Sequence, residues 1–177
     1  MQKNAKRIIL LLLTLGWMLT IFLFSAKPAS ESMQQSDGIV ERLVRIFVPD
    51  FDSLSAEQQD SITHTLSMVV RKGAHMAEYA VLAILLYALL SSWNASGRAF
   101  LCIVYAWGGA TLYAVTDELH QRFVPGRSGK PIDVLIDSVG ALAGVAIAVG
   151  VLFLVNRRKQ RKAGCKKSTH QPEQISQ

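Results

Sequence analysis

The chain has 177 residues, of which 50% are hydrophobic and 18% are charged, and its formal net charge at pH 7 is +6. The apolar residues come in long blocks separated by charged connections, which leaves no stretch from which a soluble core could be built. This composition excludes a soluble globular domain and predicts an all-α integral membrane protein folded as a four-helix transmembrane bundle.

Four apolar segments are each close to the roughly 20 residues that cross a hydrocarbon core of about 30 Å. Because no water is present at that depth, each segment must be helical to satisfy its own backbone. The predicted spans are residues 8–24, about 74–90, about 99–116 and about 132–155. The first could instead be a signal peptide, but its apolar run is longer than the usual stretch of about 7 to 15 residues, and Phe24 makes a poor cleavage site. A retained helix is therefore expected.

Basic residues flank the predicted bundle at both ends of the chain. Lys3, Lys6 and Arg7 precede the first span, and a run of basic residues between Arg157 and Lys167 follows the last. Positively charged flanks stay in the cytoplasm, and four spans return the chain to its starting side. We therefore expect a multi-pass cell-membrane protein with cytoplasmic N- and C-termini, whose basic tail touches anionic lipid and not nucleic acid.

The pattern divides the chain into four parts: a first transmembrane helix at 1–25, an extracytoplasmic amphipathic loop at 26–64, a domain of three transmembrane helices at 65–155, and a basic cytoplasmic tail at 156–177. In the loop, helical spacing of apolar residues over 38–47 predicts one amphipathic helix that ends before Pro49. Ser55, with Gln58 three residues later, forms a capping box that predicts a second helix. Both are expected to lie in the outer membrane interface, as a simple cap or as a functional lid.

Ionisable residues gather at the ends of the last three spans, which on this topology meet on the outer side of the membrane. Charge at membrane depth is expensive, so a chain that keeps it is expected to use it. Arg71 and His75 are four residues apart, and His75 and Glu78 are three apart, so these residues share a helix face. Asp117 and Glu118 stand at the C-terminal, negative end of a helix dipole, where carboxylates need a compensating charge.

The start of the fourth span adds further charges. The preceding connection, 120–130, is rich in turn residues and carries Arg127 and Lys130, so the helix N-terminus beside it is a plausible anion site. Asp137 lies about 6 Å deeper along that helix than Asp133 and must be paired or protonated there. Farther along, Gly140 and Gly144 are four apart and predict a close contact with another helix.

We expect these groups to form one polar pocket. Its predicted ligand-binding residues are Lys72, His75, Glu78, Asp117, Glu118, Gln121, Arg127, Asp133 and Asp137. Lys72 and Arg127 would hold an anionic headgroup or phosphate. If chemistry occurs, His75 paired with Glu78 or Asp117 is the best acid–base pair, and the candidates for catalysis are His75, Glu78, Asp117 and Glu118.

Several other interpretations remain open. The charges could form an ion-pair network that only locks the helices together, or serve proton or ion transport. They could also belong to a membrane-embedded enzyme that acts on an anionic lipid or a lipid-linked envelope precursor. The His, Asp and Glu residues could supply metal ligands, but no HExxH or CxxC spacing is present, so no metal site is assigned. The sequence identifies no cofactor.

Two stretches resemble the VanZ-like family of bacterial membrane proteins. Residues 71–79 match its pattern of Lys, His three residues later and then Glu-Tyr. Residues 116–127 match its run of Asp-Glu, Gln, Phe, Pro and Arg. This run is followed by Asp133 and by a glycine-containing helix, in which Asp137 stands where Asn is common in the family. The resemblance covers roughly 65–150. It implies an inner-membrane protein with a role in the cell envelope, as in a relative linked to teicoplanin resistance, and it implies no known reaction.

Overall fold

A computed structural model describes residues 2–93 and 98–168, and within this part of the chain the protein is entirely helical. Four of its helices, α1, α3, α4 and α5, are long and apolar enough to cross a membrane. The predicted all-α fold with four spanning helices is thereby confirmed. The elements are α1 (Gln2–Ser25), α2 (Ala29–Phe47), a short 3-10 turn (Phe51–Ser53), α3 (Ala56–Trp93), α4 (Ala99–Gln121) and α5 (Pro131–Ser168).

The local signals in the first long connection act as the sequence predicts. Helix α2 ends at Phe47, two residues before Pro49. The chain then turns through Asp50, which adopts a left-handed conformation with φ of 59°. Ser55 and Gln58 form the predicted capping box: the Ser55 amide donates to Gln58 Oε1 over 3.1 Å, and the Gln58 amide donates to Ser55 Oγ over 3.4 Å.

Three of the helices extend beyond the predicted membrane spans that they contain. The second loop helix and the second span are one continuous helix, α3, of 38 residues that passes through Gly73 without a break. Helix α4 continues past Thr116 to Gln121, because Asp117, Glu118 and Gln121 are buried against neighbouring elements and extend the packed face. Helix α5 continues past Val155 to Ser168, since no Pro or Gly follows Val155 closely enough to stop it.

Helix α3 is the centre of the bundle and packs against α1, α2, α4 and α5. Helices α3 and α5 run parallel, and the predicted small-residue face of α5 makes the contact. A Cβ atom added at Gly140 would overlap the Met76 carbonyl, and one added at Gly144 would overlap the Ala80 carbonyl. Because lipid tails are as apolar as leucine, this close backbone approach, rather than hydrophobic burial, holds the two helices together.

Small residues also form the inner face of α4. Ala106, Ala110 and Ala114 recur every fourth residue and are fully buried against Tyr79 and Leu82 of α3. The larger aliphatic and aromatic side chains of the spanning helices mostly point outward, as expected for surfaces in contact with lipid. The core of the bundle is therefore narrow and built from close helix contacts.

We expect Gly144→Leu to destabilise the protein by about 1–3 kcal/mol or more, because the new side chain would force α3 and α5 apart. Gly150→Leu is the matched control, since it lies on the same helix and a side chain there meets nothing within 4 Å. Thermal melting of the detergent-purified variants measures the difference. Equal melting temperatures for the two variants would contradict this contact.

Candidate functional site

The charged residues meet at one end of the bundle, here called the charged end, where α1 and α4 finish and α5 begins. A buried hydrogen-bond network joins the first two of these helices. Ser25 Oγ donates to Asp117 Oδ2 over 2.7 Å, and Gln121 Nε2 donates to the same carboxylate oxygen over 3.1 Å. All three side chains are less than a tenth exposed. Asp117 thus receives two donors that compensate its charge at the unfavourable end of the α4 dipole.

Arg127 holds the connection between α1 and α2 in place through hydrogen bonds. Its Nε donates to the Lys27 carbonyl over 2.9 Å, and Nη2 donates to the Phe24 carbonyl over 3.1 Å and to Ser32 Oγ over 3.3 Å. The guanidinium therefore binds one carbonyl in the last turn of α1 and one just beyond the end of that helix. Its Nη1 is buried without a hydrogen-bond partner.

The N-terminus of α5 is already supplied with negative charge by the protein itself. The Lys130 amide donates to Glu118 Oε2 over 2.9 Å, and Lys72 Nζ lies 2.7 Å from Asp133 Oδ1 in the first turn of α5. Gly129 permits this arrangement, because a side chain there would overlap the Glu118 carbonyl. Two carboxylates thus occupy the helix end at which the sequence predicted an anion site.

His75 and Glu78 lie on the face of α3 that points into the charged end. His75 Nδ1 is 3.5 Å from Glu78 Oε2, and both side chains are about four-fifths buried. The charged neighbours of His75 include Asp117, Arg127 and Asp133, which come from α4, the following connection and α5. His75 therefore interacts electrostatically with charges from α4, from the connection after it and from α5.

Two cavities open beside these groups. The first has a volume of about 190 Å³ and lies between α3, α4 and the start of α5. The second, of about 210 Å³, lies between the end of α1, α2 and α3. Arg71, His75 and Arg127 line both cavities and form the wall between them, here called the shared wall.

Most of the residues predicted for a single pocket surround the first cavity. They are Lys72, His75, Glu118, Gln121, Arg127, Asp133 and Asp137. Glu78 lines the second cavity instead. Asp117 lines neither cavity, because its hydrogen bonds to Ser25 and Gln121 hold it behind them.

Three residues at the charged end, Arg71, Ser25 and Ser32, are not among those predicted to line the pocket. Arg71 does belong to the predicted charged cluster, because its spacing of four residues from His75 puts both on one helix face. Ser25 and Ser32 carried no such signal, because only the folded path of the first connection brings them to the charged end. Among the residues that the structure describes, no group of three or more His, Cys, Asp or Glu side chains has an arrangement suited to a metal ion.

Asp137 is the most deeply placed acid of the first cavity, with a side chain only 2% exposed. It takes part in none of the ion pairs formed by the described residues. Its charged neighbours include the carboxylates of Glu118, Asp117 and Asp133. Burying a carboxylate in such surroundings costs free energy, so we expect Asp137 to have a function.

At alkaline pH, where a buried carboxyl is forced to ionise, we expect Asp137→Asn to raise the stability of the protein by about 1 kcal/mol or more, since the amide keeps the shape of the acid and removes an uncompensated buried charge. Melting of the detergent-purified variant at about pH 9 measures this effect. Asp133→Asn is the comparison, and it should leave the melting temperature unchanged or slightly lower, because it breaks a partly exposed ion pair with Lys72. A lower melting temperature for Asp137→Asn would refute the assignment of Asp137 as an uncompensated acid.

Arg127→Gln should destabilise the charged end by about 1–3 kcal/mol, because three acceptors lose their charged donor. Arg122→Gln, in the same connection and exposed, is the matched control. Protein abundance and limited proteolysis between α1 and α2 report the effect. Cleavage rates that are the same in both variants would argue against a fastening role for Arg127.

The fold and the charged end define a small polytopic membrane protein with a polar site at one end of its helices. The sequence profile described as VanZ/LLP1 matches residues 10–154 of the chain. The chain therefore belongs to the VanZ/LLP1 family, as its two motifs predict, and the match also takes in most of α1 and the whole first connection. Searches of curated proteins and of solved structures gave no significant match.

Proposed function

We propose that this VanZ-family protein binds the phosphate of an anionic membrane lipid or lipid-linked envelope precursor in the first cavity, at the outer leaflet of the cell membrane. Binding there would influence the response of the envelope to glycopeptides such as teicoplanin. One observation carries the proposal: Arg71 and Arg127 face the same cavity, and neither has a carboxylate partner among the described ion pairs.

The electrostatics of the two arginines favour an anion between them. Burial, and next the positive charge of Arg71, lower the pKa of Arg127 from its ordinary value. An anion placed near both guanidinium groups would offset this mutual repulsion, and the planar fork of arginine matches the oxygens of a phosphate. Glu118 and Asp133 already fill the N-terminus of α5, and Lys72 is paired with Asp133, so Arg71, Arg127 and Lys130 are the cations of the first cavity that have no ion pair among the described residues.

The outer location rests on the charge pattern of the chain. The basic flanks of the first and last spans favour cytoplasmic termini, which would place the charged end outside the cell. Helix α2 also carries an apolar surface that is not covered by the protein, since Ile46 and Phe47 are each 70% exposed. This surface supports the proposal that α2 lies in the outer membrane interface.

A second candidate is a membrane enzyme that acts on the same lipid phosphate. The observation that favours it is the His75–Glu78 contact of 3.5 Å, which places a carboxylate of the second cavity beside the histidine of the shared wall, next to the arginines. Turnover of a lipid phosphate by the native protein, absent in a folded His75→Ala variant, would establish the enzyme. If the native protein binds the lipid phosphate but leaves it chemically unchanged, its function is binding and not catalysis.

Arg71→Gln tests the binding site directly, because Arg71 makes no described hydrogen bond or ion pair that the fold would lose. The purified full chain is titrated with a soluble short-chain phosphatidic acid. Loss of one charge-assisted contact, about 1.5–3 kcal/mol, should weaken binding about ten- to a hundredfold.

Arg42→Gln is the matched control, since Arg42 is an exposed arginine of α2 that lines neither cavity at the charged end. It removes the same charge and should leave the affinity within about twofold. If both variants lose affinity equally, the attraction is a general surface effect and the proposed site is wrong. Teicoplanin susceptibility of cells that carry each variant, at matched protein abundance, links the site to the envelope.

A further inference from the structure

The second cavity differs from the first in the chemistry of its lining. Phe24, Ile39, Val70 and Ala74 give it apolar sides, whereas lysines, aspartates and Glu118 contribute to the first cavity and not to the second. Its polar groups are two serines of α2, Glu78 and the three residues of the shared wall. A charged compartment and a more apolar one thus lie on opposite sides of the same residues.

The apolar compartment adjoins the part of the surface that faces lipid. Phe24 is 46% exposed and Ile39 is 53% exposed, so each side chain both lines the cavity and extends to the outside. An apolar chain held there could continue into the bilayer without crossing a polar layer. Free phosphate gains nothing from such a compartment, because it has no apolar part to bury.

Resting on the proposed function, we propose that the ligand is an amphiphile with one phosphate and a single alkyl or prenyl chain. The phosphate lies in the first cavity against Arg71 and Arg127, and the first carbons of the chain lie in the second cavity. The shared wall then marks the junction between headgroup and chain. His75 stands at this junction and faces the bridging ester oxygen.

The structure gives a reason for this division of the ligand. Arg71 and Arg127 are the positive groups common to both cavities. A phosphate bound beside them would therefore place its attached chain at the entrance of the second cavity. Each methylene buried there contributes about 0.8 kcal/mol. Two or three buried methylenes would therefore tighten binding by about tenfold or more relative to a phosphate without a chain.

The test compares decyl phosphate with methyl phosphate as ligands of the full chain, purified in a nonionic detergent. Ala74→Phe places a bulky ring in the second cavity without removing a described hydrogen bond. Ala77→Phe is the control, since Ala77 is exposed on the same helix and lines neither cavity. All variants are titrated in the same micelles, so partition of decyl phosphate into detergent cancels between variants. The comparison of the two ligands uses the free concentration of decyl phosphate outside the micelles.

We expect Ala74→Phe to weaken decyl phosphate binding about tenfold and to leave methyl phosphate binding unchanged, with Ala77→Phe like the native protein for both ligands. Methyl phosphate binding also reports an intact first cavity in each variant. Ala74→Leu, a smaller change, is expected to give a loss of the same kind but lesser size, and it serves as the second variant if the phenylalanine variant does not fold.

Three results would overturn the inference: decyl phosphate that binds the native protein no better than methyl phosphate, an Ala74 variant that leaves decyl phosphate unaffected, or a variant that weakens both ligands equally. Arg71→Gln separates this failure from that of the proposed function. If Arg71→Gln weakens both ligands while the Ala74 variants have no selective effect, the phosphate site stands and the chain compartment does not. If Arg71→Gln changes neither ligand, both proposals fall.

Discussion

The close contact between α3 and α5 determines where every other part of the charged end can lie. With Gly140 against Met76 and Gly144 against Ala80, the two parallel helices are fixed in register. Lys72 lies one turn before Met76 on α3 and Asp133 lies two turns before Gly140 on α5, so in this register the long lysine side chain can reach the aspartate. The ion pair is partly exposed and contributes little by itself, so it follows from the glycine contact and does not create it.

A second consequence concerns the balance between holding the fold and binding a ligand. Asp117 and most of the Arg127 guanidinium are engaged in hydrogen bonds within the protein, and these bonds fix α1 and the start of α2 to the rest of the bundle. Arg71 and Asp137 form no such hydrogen bonds among the described residues. The cluster therefore contains both structural charges and uncommitted charges, and the sequence alone presents them as one set.

The sequence predicted the four spans, the capping box at Ser55 and the small-residue face of α5, because each depends on local composition or on spacing along one helix. It did not predict the continuity of α3, since Gly73 and the change from polar to apolar residues resemble a boundary. The sequence also did not predict that the polar residues line two separate cavities. That partition depends on Ser25, Ser32 and Phe24, which reach the charged end only through the folded path between α1 and α2.

The length of α3 has a mechanical consequence. Its 38 residues make a rod of about 57 Å at 1.5 Å per residue, nearly twice the hydrocarbon thickness of about 30 Å. The part from His75 to Trp93 already measures about 27 Å, so it alone can cross the bilayer. The preceding part, on which α2 packs, would then lie beyond the acyl chains unless the rod is strongly tilted. Such a tilt would bring the exposed Ile46 and Phe47 of α2 to the membrane interface, and because α3 is continuous, its membrane-crossing part would have to tilt with it.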